Sequence, residues 1–435
     1  MFLQKGFNFF THRYYDISSI QSGHFNPKGY RFVELPIYNA IHFFFFKLFP
    51  RFSLEVWGRL VSVFSALISV IFVFFIGHRF LGKWGGILAA FFFCFIPYNI
   101  YFTRVILPEP TGQLFAIVSL WLFVKFIGSE GNLWLYLSGL FLGLALLIKP
   151  FLLFYLVPMA YLLVSKYGLK NIYRNSKNLI RLLVFADLVL IPFLLWRARI
   201  SQNSEGIPFF LWAFNGDRIR FHPAFWRWIF GERLGRLILG IWCLIPFGIG
   251  VFLKRKNYFT LSFMAGALIY VFTVATASVR HDYYQIFLIP PISLLLAEGF
   301  EYLRGGFGLN LKLSRFFAVF AVLMMLFMGW DQVKENYKIN HPEIIAAGQA
   351  VDRLTPKDAR VIAPYNGDTA FLYQTNHWGW PAVDDSIENI IKKGASYYVS
   401  VDLGSSDTKY VVSKYQMLEK TDQYIVIDLT KPLTK

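Results

Sequence analysis

The residues best suited to chemistry in this chain are a few charged side chains that interrupt long apolar runs. The stretch Thr103 to Gly112, TRVILPEPTG, lies between two such runs, and in it Glu109 is bracketed by Pro108 and Pro110. Proline breaks a helix interior but suits a first turn, so the pair ends one helix and opens the next. Glu109 then sits where free backbone N–H groups favour an anion. An acid beside hydrocarbon is costly and usually functional, although taken alone a helix-capping acid is the commoner reading.

The other unusual residues gather on the same side of the apolar runs. Glu34, in RFVELPIY, is again an acid shortly before a proline, Pro36. Its carboxylate suits a helix opening or a hard divalent cation such as Mg, Mn or Zn. His222, in the polar loop 197–233, is a candidate imidazole ligand for the same ion. In that loop Arg218, Arg220, Arg227 and Arg233 alternate with Phe221, Phe225, Trp226, Trp228 and Phe230. Arginine suits phosphate through paired donors, and the aromatic rings suit the headgroup level; an interfacial helix drawn to anionic lipid is an equal reading. SVRHDYY, residues 278–284, brings Arg280, His281, Asp282, Tyr283 and Tyr284 to the mouth of a long apolar helix. Lys149, in LLIKPF, ends a helix on this face, where it either snorkels or binds phosphate. Asp187, in LVFADLVLIP, is different: it lies inside a span and is expected to face the bundle interior.

The elements that position these residues are membrane helices. The 435 residues are 56% hydrophobic and only 16% charged, with mean hydropathy +0.47. Soluble domains carry about 25% charged residues. The formal net charge of +17 raises nucleic acid as a partner. The cations, however, cluster in short loops between apolar runs, which is the pattern of cytoplasmic loops and anionic headgroups. Cys94 and Cys243 sit inside apolar runs and make neither a disulfide framework nor a metal cluster. Residues 36–49 suit an interfacial helix. About ten spans follow, of roughly 20 residues each, near 54–77, 85–103, 109–127, 132–148, 150–165, 179–196, 234–253, 258–277, 283–302 and 314–330.

Loop charge sets the orientation. Arg79, Lys83, Lys125, Lys166 to Arg181, Lys254 to Lys256, and Arg304 to Arg315 share one face, taken as cytoplasmic. The opposite face receives residues 1–53, 104–108, Lys149, 197–233, 278–282 and everything after Trp330. The N-terminal segment carries Lys5, Arg13, Lys28, Arg31, Lys47 and Arg51 on that outer face, so a further span ahead of Met1 is expected. Residues 331–435 change character. Helical patterns at 342–355, 385–394 and 407–420 alternate with strand patterns at 359–364, 396–402 and 423–428, which argues a small α/β domain. No glycine-rich nucleotide motif precedes its helices. NHWGWP, with His377, Trp378 and Trp380, reads as an aromatic-packed loop before a saccharide platform. The expected organisation is an outer segment 1–53, a helical domain 54–330 and an extracytoplasmic domain 331–435.

RFVELPIYNAIHFFFFKLF followed by GRLVSV, then IPYNIYFTRVILPEP, and later HDYYQIFLIPPISLLLAEG, together resemble the C-type-fold (GT-C), polyprenyl-phosphate-sugar-dependent glycosyltransferases. That superfamily includes the protein O-mannosyltransferases and bacterial aminoarabinose transferases, and the resemblance covers roughly residues 5–300. It implies a mainly α, polytopic fold and a sugar donor carried on undecaprenyl or a similar polyprenyl phosphate. It also implies inversion at the sugar carbon and an acceptor on the outer face of the plasma (inner) membrane. Glu34 matches the acid before a proline that binds a divalent cation in some members, and Glu109 a second outer-turn acid. Lys149 matches a lysine ending a helix at the active-site face, and Tyr284 a tyrosine near the lipid phosphate. His222 and Arg227 match loop residues loosely. For the essential aspartate that the family places in its first outer loop, Asp16 is the nearest candidate.

The expectation is therefore transfer of a sugar from a polyprenyl-phosphate donor to a glycan, lipid or protein hydroxyl. Glu34, Glu109 and Asp16 are the catalytic candidates. Lys149, Arg227, Arg280, His281 and Tyr284 are the candidates for the lipid phosphate, and Glu34 and His222 for a metal. Membrane lipids are expected partners and nucleic acid is not. The rivals are a flippase for a lipid-linked saccharide, which would use Asp187, and a non-catalytic scaffold.

Overall fold

The computed structural model describes residues 33–202, 211–216, 218–306, 308 and 310–433. The chain forms two compact units: Phe45–Ala198 with Phe209–Tyr337, and Met1–Phe44 with Arg199–Pro208 and Lys338–Lys435.

The first unit is helical. Six stretches among the described residues are long and apolar enough to cross a bilayer: Leu54–Phe95, Glu109–Ser129, Pro150–Tyr167, Ser176–Ser201, Asp282–Arg304 and the one that begins at Leu311. Asn132–Ile148 and Phe259–Thr273 are shorter apolar helices. Leu54–Phe95 is two helices in one: Gly82 takes φ 81°, in the left-handed region that suits glycine, and the chain folds back there. Gly77 then lies on Gly86, where a Cβ would come within 2.9 Å of the Gly86 Cα. This hairpin accounts for the two spans expected at 54–77 and 85–103, except that the second ends at Phe95 and a separate helix, Pro97–Phe102, follows. Glu109–Ser129 and Asn132–Ile148 form a tight pair in which Ser119 and Ser138 each donate to the other's backbone carbonyl, at 2.7 and 2.8 Å.

Two expected spans are broken. In place of 234–253 there is a π-helical stretch Arg227–Ile238, a turn, and a helix Leu244–Phe252. The turn comes at Gly240 (φ 51°) because the backbone there lies against Met325, whose Cα would be 2.8 Å from an added Cβ. In place of 258–277 there are Phe259–Thr273 and Ala275–Arg280, separated at Val274. Two other spans begin as 3₁₀ turns, Pro150–Tyr155 and Asp282–Leu288, each preceded by an extended residue, Lys149 and His281 respectively. Proline pushes the residue before it out of the helical region, which fixes the break at Lys149. Arg255, counted above among the cytoplasmic loop cations, is instead buried. It pairs with Glu298 at 3.0 Å, and both bond to Thr260.

The C-terminal part, Lys338–Lys435, folds around a five-stranded sheet in the order β2-β1-β3-β5-β4, with β1 Arg360–Ile362, β2 Trp378–Trp380, β3 Tyr397–Ser400, β4 Tyr415–Lys420 and β5 Ile425–Pro432. β1 runs parallel to β2 and β3, whereas β5 runs antiparallel to β3 and β4. The helix Pro342–Leu354 buries Ile344, Ala347 and Val351 in a core with Val361, Ile362, Trp380, Tyr398, Val399 and Ile425–Ile427. The helix expected over 407–420 covers only Ser406–Lys414, and its second half is strand β4. Residues 415–420 pair with β5, and an edge partner outweighs a weak helical pattern. The NHWGWP stretch is strand β2 with Trp380 in the core. His377 is buried, held by Thr355 and by the carbonyls of Pro356 and Thr375. Packing thus accounts for His377 and Trp380, and Trp378 stays half-buried.

Candidate active site

Glu109 opens its helix with Pro108 before it and Pro110 after it, as the spacing predicts. Its carboxylate is 1% exposed and its Oε1 pairs with Lys149 Nζ at 3.0 Å. A charge pair this deep is favourable only with close geometry and further bonds. Among the described residues the second oxygen, Oε2, has no hydrogen-bond partner. The pair joins the two helix breaks that sequence already marked, the one at Pro108 and the one at Pro150.

Beside this pair stands the turn Asp282–Leu288, held by three other helices through its backbone carbonyls. Tyr98 Oη donates to the Asp282 carbonyl at 2.7 Å, Gln113 Nε2 to Ile286 at 3.0 Å and Tyr270 Oη to Tyr284 at 3.1 Å. The Ile286 carbonyl accepts from the Ile289 N–H as the 3₁₀ turn closes, and Gln113 adds a second donor from another helix. Arg233, which the candidate list did not include, pairs with Asp282 at 2.6 Å and also donates to the Val279 carbonyl at 3.1 Å. Tyr283 and Tyr284 stack with ring centroids 4.7 Å apart, and His281 lies against both rings and against Trp212. Glu109 acts electrostatically on Tyr98, Tyr270 and Tyr283, and Lys149 on the last two, so these groups form one cluster. Burial holds the His281 imidazole below its ordinary value, against the pull of Asp282. At neutral pH it is therefore uncharged and acts as a neutral donor or acceptor.

The structure thus brings together Glu109, Lys149, His281 and Tyr284. Arg280 closes the short helix Ala275–Arg280 and is exposed. Arg227 is also exposed, 3.8 Å from Glu232, and so is His222. Glu34 is half-buried, just ahead of the helix Ile37–Leu48, which matches the expected interfacial helix, and it belongs to the other compact unit. Asp16 lies outside the described residues. Among those residues no three His, Cys, Asp or Glu side chains stand close enough to hold a metal ion. Glu34 and His222 fall in different compact units. Asp187 is exposed, contrary to the expectation of an inward-facing acid. Its place follows from its helix, which buries Phe185 and Val189 on the opposite side.

Tyr98, Gln113, Tyr270 and Arg233 are the site residues that sequence reading missed or left among many. Tyr98 and Tyr270 sit in apolar helices, where a tyrosine reads as packing. Gln113 carried a usable signal, a lone amide in the first turn of a membrane helix.

The family model described as dolichyl-phosphate-mannose-protein mannosyltransferase matches residues 34–196. No curated protein sequence matches the chain. Among solved structures, ArnT from Cupriavidus metallidurans bound to undecaprenyl phosphate shares the fold at TM-score 0.62, with 13% identity, over 90% of this chain and 87% of that one. The apo form of ArnT gives TM-score 0.63 and 14% identity, over 95% and 92%. The oligosaccharyltransferase AglB from Archaeoglobus fulgidus, in complex with an inhibitory peptide and a dolichol-phosphate, gives TM-score 0.52 and 11% identity, over 88% and 64%. The chain thus shares the C-type (GT-C) fold of ArnT and AglB, and within it residues 34–196 match the mannosyltransferase family model.

Proposed function

We propose that the chain transfers a sugar from a polyprenyl-phosphate donor to a hydroxyl acceptor at the outer face of the plasma membrane. The observation that carries this reading is the buried Glu109–Lys149 pair, set beside the tyrosine-lined turn and leaving one carboxylate oxygen without a hydrogen-bond partner among the described residues. Lys149 offers a cation at a helix break, where a lipid-borne phosphate can meet it. Glu109 holds that ammonium in place, and its Oε2 is placed to accept a hydrogen bond from a sugar hydroxyl. Support also comes from ArnT, which was solved with undecaprenyl phosphate, and from AglB, solved with a dolichol-phosphate.

In the proposed reaction an acceptor hydroxyl loses its proton to a carboxylate of the first outer segment, Glu34 or Asp16. Its oxygen then attacks the anomeric carbon, and the bond from that carbon to the phosphate oxygen breaks. The polyprenyl phosphate leaves with the electron pair and the sugar centre inverts. Lys149 stabilises the charge gathering on the leaving phosphate, an electrostatic contribution worth roughly 3–4 kcal/mol for a well-placed group. Arg280 and Arg227 are the exposed cations available to a headgroup, and Tyr284 and the neutral His281 complete the phosphate's surroundings. The flippase reading loses its main residue, because Asp187 points out of the bundle and lines no path through it.

The test is sugar release from a radiolabelled polyprenyl-phosphate donor by the purified chain in a lipid bilayer. Release that falls at least a hundredfold in Lys149→Ala, and is lost in Glu34→Gln with Asp16→Asn, supports the reading. Undiminished turnover in Lys149→Ala overturns the role given to the ion pair, and no turnover by the unaltered chain on any such donor overturns the activity.

A further inference from the structure

The helices Leu244–Phe252 and Ile289–Arg304 touch backbone to backbone at two glycines. A Cβ at Gly250 would collide with the Leu295 carbonyl, and one at Gly299 with that of Pro246. Beside this contact the surface forms a groove of about 390 Å³, lined by Ile245, Gly248, Ile249 and Phe252 together with Lys254 and Tyr302. The first four recur at three- and four-residue intervals, so they share one side of their helix. A Cβ at Gly248 would meet nothing within 4 Å, so that position borders open space.

The groove lies at the opposite end of the helices from the candidate active site. Tyr302 stands about 20 Å along Ile289–Arg304 from the 282–288 turn. At that end the chain leaves its helix as Lys254, Arg255 and Lys256. The middle cation is absorbed locally. Arg255 pairs with Glu298 and donates to the carbonyls of Leu253 and Gly250, which the helix end leaves without backbone donors. Lys254 and Lys256 are exposed, and neither has an acidic partner among the described residues. Arg304, the next cation along, is offset by Glu301. Two uncompensated positive charges therefore stand at the mouth of an apolar groove.

We propose that the groove binds one anionic phospholipid, with an acyl chain along Ile245, Ile249 and Phe252 and the phosphate on Lys254 and Lys256. Size and charge select this occupant. One turn of α-helix, taken as a cylinder 10–12 Å wide, fills roughly 400–600 Å³, so the groove is too small to seat a helix of another protein. A polyprenyl tail reaching this end would bring no charge, whereas the two lysines attract an anion. Tyr258 and Tyr302 are exposed beside them and mark the headgroup level. Basic pockets between membrane helices hold lipid headgroups in this way. The proposal is independent of the transferase reading.

The experiment uses the full chain in vesicles of equal parts phosphatidylglycerol and phosphatidylcholine, with a photoreactive acyl chain on one lipid or the other. The phosphatidylglycerol probe is expected to label residues 245–254, and the phosphatidylcholine probe much less. Lys254→Gln with Lys256→Gln is expected to weaken that labelling roughly 30-fold in probe titrations. Lys83→Gln with Lys170→Gln removes the same charge from other exposed positions and is expected to leave it intact. Gly248→Leu fills the groove and is expected to abolish labelling without changing thermal unfolding. Equal labelling by both probes, an equal loss in the two lysine pairs, or full labelling of Gly248→Leu overturns the site. No labelling of the unaltered chain, or capture of a protein by a photoreactive residue placed at Phe252 in native membranes, overturns the choice of occupant.

Discussion

The Glu109–Lys149 pair sets the consequences at the level of single residues. With Glu109 at 1% exposure, removing only the cation leaves a buried carboxylate uncompensated. Lys149→Met is therefore expected to destabilise the helical unit by about 3–5 kcal/mol, whereas Lys149→Met combined with Glu109→Gln recovers most of that loss. Thermal unfolding of the two variants in one detergent distinguishes them, and equal losses would mean that the pair is not buried as described. Activity is expected to stay lost in both, since the phosphate-binding cation is gone in each. The same pair illustrates what sequence reading reaches at this scale. Glu109 and Lys149 were visible separately because a proline stands next to each, but nothing in the spacing says that one meets the other. His281 and Tyr284 were likewise visible as a polar knot, whereas Tyr98 and Tyr270 were hidden in apolar helices.

Individual elements are placed by what their backbones lack. The turn Asp282–Leu288 is held by side-chain donors from other helices, among them Gln113 at the Ile286 carbonyl. Gln113→Leu removes one of the two donors to the Ile286 carbonyl, a loss of about 0.5–1.5 kcal/mol, visible as faster hydrogen exchange across 282–290. Unchanged exchange would show that the turn does not depend on this bond. In the C-terminal domain the helix Ile387–Lys392 is tied to Asp385, which accepts from the Asn389 amide, from Lys393 and from the Ser386 N–H. These bonds, the Asn389 one first, hold the carboxyl at about 2, below its usual 3.8. The folded state thus binds that proton less readily than the unfolded chain does. The stabilisation is complete above pH 4 and is lost as pH falls from 4 through 2. Asp385→Asn is expected to flatten the acid limb of this domain's unfolding curve, and an identical limb in the variant would count against the assignment. The same domain also marks where sequence patterns fail: the segment 407–420 reads as helix until β5 offers its second half a strand partner.

At the scale of the whole molecule, the sidedness proposed for the site makes its own prediction. A cysteine at Ser405, in a background without Cys94 and Cys243, should react with a membrane-impermeant maleimide added to intact cells. Reaction only after permeabilisation would place the C-terminal domain in the cytoplasm and reverse the proposed orientation. The sequence by itself determined the membrane class, the helical character, a helix at 37–48, the hairpin near Gly82 and the mixed C-terminal domain. These follow from hydropathy, loop charge and proline or glycine breaks, which act over a few neighbouring residues. Tertiary structure decided which groups meet and which faces stay bare. It joined Glu109 to Lys149, brought Tyr98 and Arg233 to the 282–288 turn, broke the helix at Gly240 against Met325 and turned Asp187 outward. The physical reason is that burial and pairing depend on residues far apart in the chain, whereas sequence periodicity reports only that a helix has an apolar side.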